Sequence, residues 1–286
     1  MYISIDIGGT KTRVALKSKI DKKNLIDFEK FHIFNTPKNM KSLKQHIKET
    51  VFDNFQIAEK DISAVVIGIA GMIDRQEQKV LFAPNVPYLN NKKAKDIVPF
   101  KSLNQDKVFV ENDASLAGLA EAVVGVAKDY NVVAYITIST GVGGDRIIDK
   151  KIDDSRYNYE PGHHIIDREG PTDEKTGIHG SFEAFSSGNA FRNIYQISPQ
   201  DCTDDLIWES YAEDLSIGLY NVIMMWQPEV IVIGGGLSQK SDYFIQHLKE
   251  YLDNMVWFNR PIPDIKVSHF DNKNVLIGGF VYLSQK

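Results

Sequence analysis

The sequence predicts an α/β protein of two domains with mixed sheets. Residues 5–16 (IDIGGTKTRVAL) and 138–149 (ISTGVGGDRIID) share one plan of strand, glycine turn and strand, about half a chain apart. Short apolar runs of strand length alternate with stretches of helical periodicity. The 286 residues suffice for two modest domains. The two hairpins suggest domains built on one topology and facing each other.

Tyr2–Ile7 and Lys11–Lys17 are apolar-rich runs separated by Gly8-Gly9, which reads as a hairpin. A third strand is expected around Leu25–Phe34. Leu43, Ile47, Val51 and Phe55 repeat every four residues and mark one helix face over 40–55. Ala64–Ala70 and Lys107–Glu111 read as strands. A helix over 114–127 follows, with Asn112 and Asp113 placed as capping residues. A second hairpin comes next: Val132–Ser139, a turn at Gly141–Gly144, then Arg146–Lys150. Residues 156–187 are polar, glycine-rich and irregular. Helices at Asp204–Trp226 and Ser241–Met255 flank a strand at Glu229–Ile233, and a strand at Ile265–Phe270 precedes an apolar helix at Val275–Leu283.

Composition narrows the function classes. Apolar residues make up 43% of the chain, ordinary for a protein with a real core, and the net charge is −5 without long blocks of one sign. That balance argues against a nucleic-acid partner. The single cysteine, Cys202, excludes an internal disulfide and a multi-cysteine metal site. No signal peptide is read at MYISIDIGG, and no apolar run approaches a membrane span, so a cytoplasmic protein without membrane contact is expected.

Backbone amides approach a phosphate closely only where side chains are absent, and hydroxyl or ammonium groups complete such a site. DIGGTK supplies Gly8, Gly9, Thr10 and Lys11, with Asp6 at a strand end placed to hold Mg²⁺ through water. STGVGG supplies Ser139, Thr140, Gly141, Gly143 and Gly144. Gly234, Gly235 and Gly236 follow a strand and leave its turn bare, which suits a flat adenine or ribose. Each motif taken alone also reads as a plain turn. None is a Walker loop or a dinucleotide fingerprint opening a helix, which excludes a nicotinamide-dependent oxidoreductase.

Together these stretches resemble the ROK family of sugar kinases and regulators. The resemblance rests on DIGGTKTR, GIAGMID (68–74), ENDA (111–114), STGVGG, EPGH (160–163), GSFEAFSSG (180–188) and VIGGG (232–236), and spans nearly the whole chain. It implies an actin/hexokinase-like (ribonuclease H-like) fold with an interdomain cleft. By that likeness the first domain comprises 1–111 plus 275–286 and the second 112–274. It implies an ATP- and Mg²⁺-dependent hexose kinase, glucose first, with an N-acetylhexosamine or fructose as alternatives. Asp113 matches the catalytic aspartate. Gly71, Asn112, Glu160, His163 and Glu183 match sugar-binding positions, and the glycine turns with Thr10, Lys11 and Thr140 match ATP contacts. Family members are often dimeric, which implies a homodimer.

Two departures matter. The family's zinc-binding cysteines align with Glu174, Thr176 and Ser181, so no structural zinc is expected and His163 is left for the sugar. Asp145 stands where a glycine is common, and near phosphates it must point away or assist Mg²⁺. His164 and His179 are read as solvent-facing. A sugar-responsive regulator is the non-enzyme alternative; such members carry an N-terminal helix-turn-helix, whereas this sequence enters a strand at residue 2.

Overall fold

A computed structural model describes residues 1–21, 24–173, 176–255 and 261–286. The chain packs as two compact units, one of residues 1–124, 154–158 and 272–286, the other of 125–153 and 159–271.

The first unit is built on a five-stranded sheet. β1 (Tyr2–Ile7) and β2 (Lys11–Lys17) form the expected hairpin, β3 (Lys30–Asn35) extends it antiparallel, and β4 (Ala64–Ile69) joins β1 in parallel. β3 begins later than expected: of the residues before Lys30, Leu25 is buried and Ile26 exposed, without strand alternation. α1 (Met40–Lys48), capped by Asn39, continues as a π-helical stretch over Glu49–Asn54, so the expected single helix has two windings. A small hairpin, β5 (Met72–Asp74) with β6 (Lys79–Phe82), and the one-turn α2 (Ala94–Ile97) were too short to read as periodic patterns.

β7 (Val108–Asn112) completes the sheet beside β4 and runs directly into α3 (Asp113–Val123). Asn112 is the N-cap, its Oδ1 accepting the Ser115 amide, and Asp113 is the first helical residue instead of a cap. α3 packs on the C-terminal helix (Asn274–Ser284) so closely that a Cβ on Gly278 would collide with the Leu116 carbonyl. That contact ties residues 113–124 to the first unit, whereas the sequence reading put them in the second domain.

The second unit repeats the plan. β8 (Val132–Ile138), β9 (Val142–Ile148) and β10 (Lys151–Ile152) are antiparallel. Within the segment read as irregular, α4 (Phe182–Ser186) forms, followed by α5 (Gly188–Tyr195). The long α6 (Asp205–Trp226) leads to β11 (Val230–Gly234), which lies parallel to β8, and α7 (Ser241–Met255) precedes the last strand, β12 (Asp264–Val267). Strand order β10-β9-β8-β11-β12 mirrors β3-β2-β1-β4-β7, with matching directions. The shared topology inferred from two glycine hairpins is therefore real. The fold is actin/hexokinase-like.

Each unit has its own core. In the first, Ile3, Ile5, Val65, Ile67 and Val110 are fully buried on the sheet. In the second, Phe191, Trp208, Tyr211 and Phe244 form an aromatic cluster against α6 and α7. No described helix is long and apolar enough to cross a membrane.

Candidate active site

In the first unit the predicted residues converge at the carboxyl ends of β1, β4 and β7. Asp6 is buried opposite Arg13 in the β1–β2 register, and Arg13 Nη1 donates to its Oδ2 at 2.8 Å. Burial nevertheless pushes the Asp6 carboxyl up to about 7, the Arg13 charge pulling against it and the Asp113 charge adding to the rise. Asp113 is half-buried, and desolvation raises its carboxyl above the usual range. Its Oδ1 accepts the Ala114 amide at 2.9 Å, and among the described residues no side chain pairs with this carboxylate.

The turn between β1 and β2 is stitched. The Gly8 amide donates to the Lys11 carbonyl at 3.0 Å, and the Gly8 carbonyl accepts the Thr36 hydroxyl at 2.6 Å. Thr36 also donates its amide to the Thr10 carbonyl. Gly9 and Thr10 are exposed, and Lys11 Nζ rests on Asn35 Oδ1 at 2.7 Å. Gly71 has φ +140°, and any Cβ there would collide with the Phe82 carbonyl, so backbone geometry alone demands glycine. Its carbonyl accepts from Asn112 Nδ2 at 2.9 Å. Asn112 thus uses both ends of its amide inside the protein.

In the second unit the turn of the β8–β9 hairpin is shorter than expected. It comprises Ser139–Gly141, while Gly143 and Gly144 lie in β9. Gly144 is needed for packing, since a Cβ there would collide with the Tyr135 carbonyl. Glu183 braces the turn: its Oε2 accepts the Val142 amide at 2.7 Å, and a side chain at Gly141 would strike its carboxylate. Asp145 is fully buried in β9, its Oδ1 accepting the Arg146 amide.

Of the three glycines after β11, Gly234 is buried in the strand under the Tyr135 hydroxyl, and Gly235 has φ +86° with the Ile138 carbonyl in the way of any Cβ. Gly236 alone faces open space, a Cβ there meeting only Ser139 Oγ at 3.9 Å. Glu160 and His163 bracket a short turn closed by the His163 amide on the Glu160 carbonyl, and His163 Nδ1 is buried without a hydrogen-bond partner among the described residues. His164 is not solvent-facing: its ring stacks on Phe182 at 5.2 Å, and both ring nitrogens are buried, which lowers its affinity for a proton. His179 is exposed, with Nδ1 on Thr172 Oγ1.

A cavity of about 150 Å³ lies beside the second hairpin, lined by Thr140, Asp173, Glu183, Ser187, Asn189 and Asn193. Asp173 and the two asparagines lie in none of the sequence motifs. The i, i+4 spacing of Asn189 and Asn193 behind the Ser187 cap was the available signal. Arg13 and Thr36 were missed because cross-strand pairing, not local pattern, gives them partners. Of the aligned cysteine positions, Ser181 caps α4, Thr176 Oγ1 accepts the Ile178 amide, and Glu174 lies outside the described residues. Among the described residues no three His, Cys, Asp or Glu side chains are grouped to hold a metal ion.

The ROK family profile matches residues 2–286. A glucokinase of Streptomyces coelicolor is 27% identical over 97% of this chain and 96% of its own. A xylose repressor of Bacillus spizizenii is 28% identical over 67% of this chain and 53% of its own. Among solved structures, a glucokinase from Streptomyces griseus in complex with glucose and AMPPNP superposes with a TM-score of 0.79 at 23% identity, covering 100% of this chain and 99% of that one.

Proposed function

For this chain, which belongs to the ROK family, we propose the activity of an ATP-dependent hexose kinase that phosphorylates a primary hydroxyl, with glucose the first acceptor. The observation that carries the reading is the Asp113 carboxylate, half-buried, raised in proton affinity and without a side-chain partner among the described residues. Asp6 is held by Arg13, whereas Asp113 is available to a substrate. A sugar hydroxyl is a poor acid, and a base that takes its proton as the oxygen attacks phosphorus contributes about 10²–10⁴ in rate. The oxygen–phosphorus bond forms, the bond to ADP breaks, and the proton rests on Asp113.

Around that step the chain supplies positioning. His163 Nδ1, buried without a partner among the described residues, suits a sugar hydroxyl, with Glu160 beside it in the same short turn. In the first unit, Gly9, Thr10 and Lys11 present exposed groups to the donor phosphates. In the second, exposed Thr140 and the open face of Gly236 suit the nucleotide. Burial, with the like charge of Asp113 adding to it, raises Asp6's proton affinity, and a divalent cation would relieve the repulsion between the two carboxylates. Asp6 is the residue that would hold Mg²⁺ through water, and the ion supplies charge neutralisation at the phosphates. Cytoplasmic residence and a homodimer belong to the same reading.

Similarity to the xylose repressor favours a second reading, a sugar-binding regulator. A coupled ADP-release assay over hexoses, N-acetylated amino sugars and phosphoryl donors tests both. Turnover of glucose with ATP is expected. Sugar binding without ADP release from any acceptor would favour the regulator and overturn the kinase.

A further inference from the structure

Arg75 is absent from every motif the sequence offers, yet it makes one of the densest side-chain networks in the first unit. Its Nε lies 2.9 and 3.1 Å from the two carboxylate oxygens of Glu111, with the pair 12% and 1% exposed. Glu111 Oε1 also accepts the amide of Asn112 at 2.9 Å. Arg75 Nη2 donates to Ser115 Oγ at 3.1 Å, and the Ser115 amide caps back onto Asn112 Oδ1. One guanidinium therefore braces the strand end before Asp113 and the helix turn after it.

The other edge of the same guanidinium holds a strap. Nη1 donates to Ser155 Oγ at 2.8 Å and to the Tyr157 carbonyl at 3.3 Å. Its neighbours hold the strap as well: the Arg75 amide donates to the Arg156 carbonyl, Arg156 pairs with Asp74, and the Ile73 amide donates to the buried Asn158 Oδ1. Residues 154–158 pack with the first unit although the chain on both sides belongs to the second. Two residues beyond the strap stands Glu160.

We infer that Arg75 is a positioning residue that sets the Asn112–Asp113 junction and the Ser155–Asn158 strap from one rigid fork. The inference rests on the kinase reading above for its kinetic form. A planar guanidinium fixes both directions at once, which an ammonium cannot do. Its two edges serve different ends: the Glu111 edge orients the base and governs kcat, while the Ser155 edge orients the segment leading to Glu160 and governs sugar affinity.

The test compares wild type with Arg75→Gln, Arg75→Lys and Ser155→Ala, using the hexose that wild type turns over fastest. Arg75→Gln is expected to lower kcat about ten- to a hundredfold and to raise sugar KM, the loss that small misplacement of a reacting group causes. Arg75→Lys should recover part of kcat. Ser155→Ala, a milder change, should raise sugar KM several-fold with kcat unchanged. Hydrogen exchange of residues 154–158, read without any sugar, should quicken by about an order of magnitude in Arg75→Gln as the strap opens locally. Wild-type kinetics in a folded Arg75→Gln, or unchanged strap exchange, would overturn the inference. If Arg75→Gln does not fold, an unchanged KM in Ser155→Ala would overturn it. A wild-type protein without kinase activity would instead overturn the kinase reading, and the exchange comparison would still decide whether Arg75 holds the strap.

Discussion

The two glycine hairpins share a topology and differ in what braces them. The β1–β2 turn is held from the side by the Thr36 hydroxyl and amide, leaving Lys11 at the surface and Asp6 with Arg13 at its base. The β8–β9 turn is held from behind by a carboxylate, Glu183 accepting the Val142 amide, with the Gly188 amide on the Ser139 carbonyl. A repeated backbone plan thus carries two charge patterns. The first unit combines an ammonium with titrating carboxylates, and the second offers hydroxyls, amides and open glycine backbone. On the proposed reading, changes to first-unit carboxylates strike turnover, whereas changes to second-unit glycines strike nucleotide affinity.

The largest expected effect is that of Asp113→Asn. It should lower kcat by about 10²–10⁴ while leaving sugar affinity and fold intact. The wild-type pH profile should lose turnover as pH falls, with its acid limb above the ordinary aspartate range, because the base must be ionised and desolvation raises it. A variant that keeps more than about a tenth of kcat would place the base elsewhere.

Next in size is a pH-dependent stability difference between the units. The Asp6 carboxyl moves from 3.8 up to about 7, so the folded state holds more protons than the unfolded chain between those values. The contribution of Asp6 is therefore most favourable below pH 3.8, declines as pH rises toward about 7 and is constant above. Asp6→Asn, measured by denaturant unfolding in EDTA, should flatten that slope, a difference on the order of a few kcal/mol across the window. Arg13, 20% exposed, can still be hydrated in the variant. In the second unit Asp214 rises only to about 6, by burial with Glu213 and Asp167 adding, so Asp214→Asn should act the same way over a narrower range. An Asp6→Asn slope identical to wild type would show that the Arg13 pair cancels the desolvation.

These expectations draw on very unequal amounts of sequence information. β1, β2 and α7 have the bounds read from apolar pattern and glycine punctuation, because periodicity reports burial directly. The turn at Ser139–Gly141 is shorter than expected because Gly143 and Gly144 resemble turn residues but lie inside β9, where Gly144 is glycine for close packing against the Tyr135 carbonyl. Gly71, Asn112, Asp113 and Glu183 were marked through motif resemblance. The cap that Asn112 makes on the Ser115 amide is local and was legible, but the long-range contacts of Gly71, Asn112 and Glu183 were not, since the Phe82 carbonyl, the Gly71 carbonyl and the Val142 amide meet them through tertiary packing. Thr36 and Arg75 lie in no local pattern, and Arg13, though it ends DIGGTKTR, shows its Asp6 partner only through the β1–β2 register.

Gly235 and Gly236 sharpen the reading of the second unit. At Gly235 φ is +86° and a Cβ would run into the Ile138 carbonyl, so Gly235→Ala should cost about 1–3 kcal/mol of stability. At Gly236 there is room, so Gly236→Ala should leave stability near wild type and raise only the KM for ATP. Denaturant melts and ATP titrations of the pair separate a backbone requirement from a ligand contact. Equal loss of stability in both variants would remove Gly236 from the nucleotide site.

The smallest expected effect belongs to Thr36, the side brace of the first hairpin. Its one hydroxyl proton goes to the Gly8 carbonyl at 2.6 Å, so in the 2.9 Å contact with Thr12 Oγ1 it must be the acceptor. Thr36→Val keeps the side-chain shape and removes both bonds, and because the site is only half-buried, water can reach part of what is lost. The expected cost is about 0.5–1.5 kcal/mol of stability, the usual net worth of one hydrogen bond. The Thr36 amide still holds the Thr10 carbonyl, so the turn loosens without opening. Lys11 and the exposed amides of the turn would then meet the donor phosphates less well, raising the KM for ATP a few-fold while the Asp113 step keeps its kcat. Should Thr36→Val lower kcat as much as it raises KM, the turn would be acting in the transition state, and turnover could no longer be assigned to the carboxylates alone.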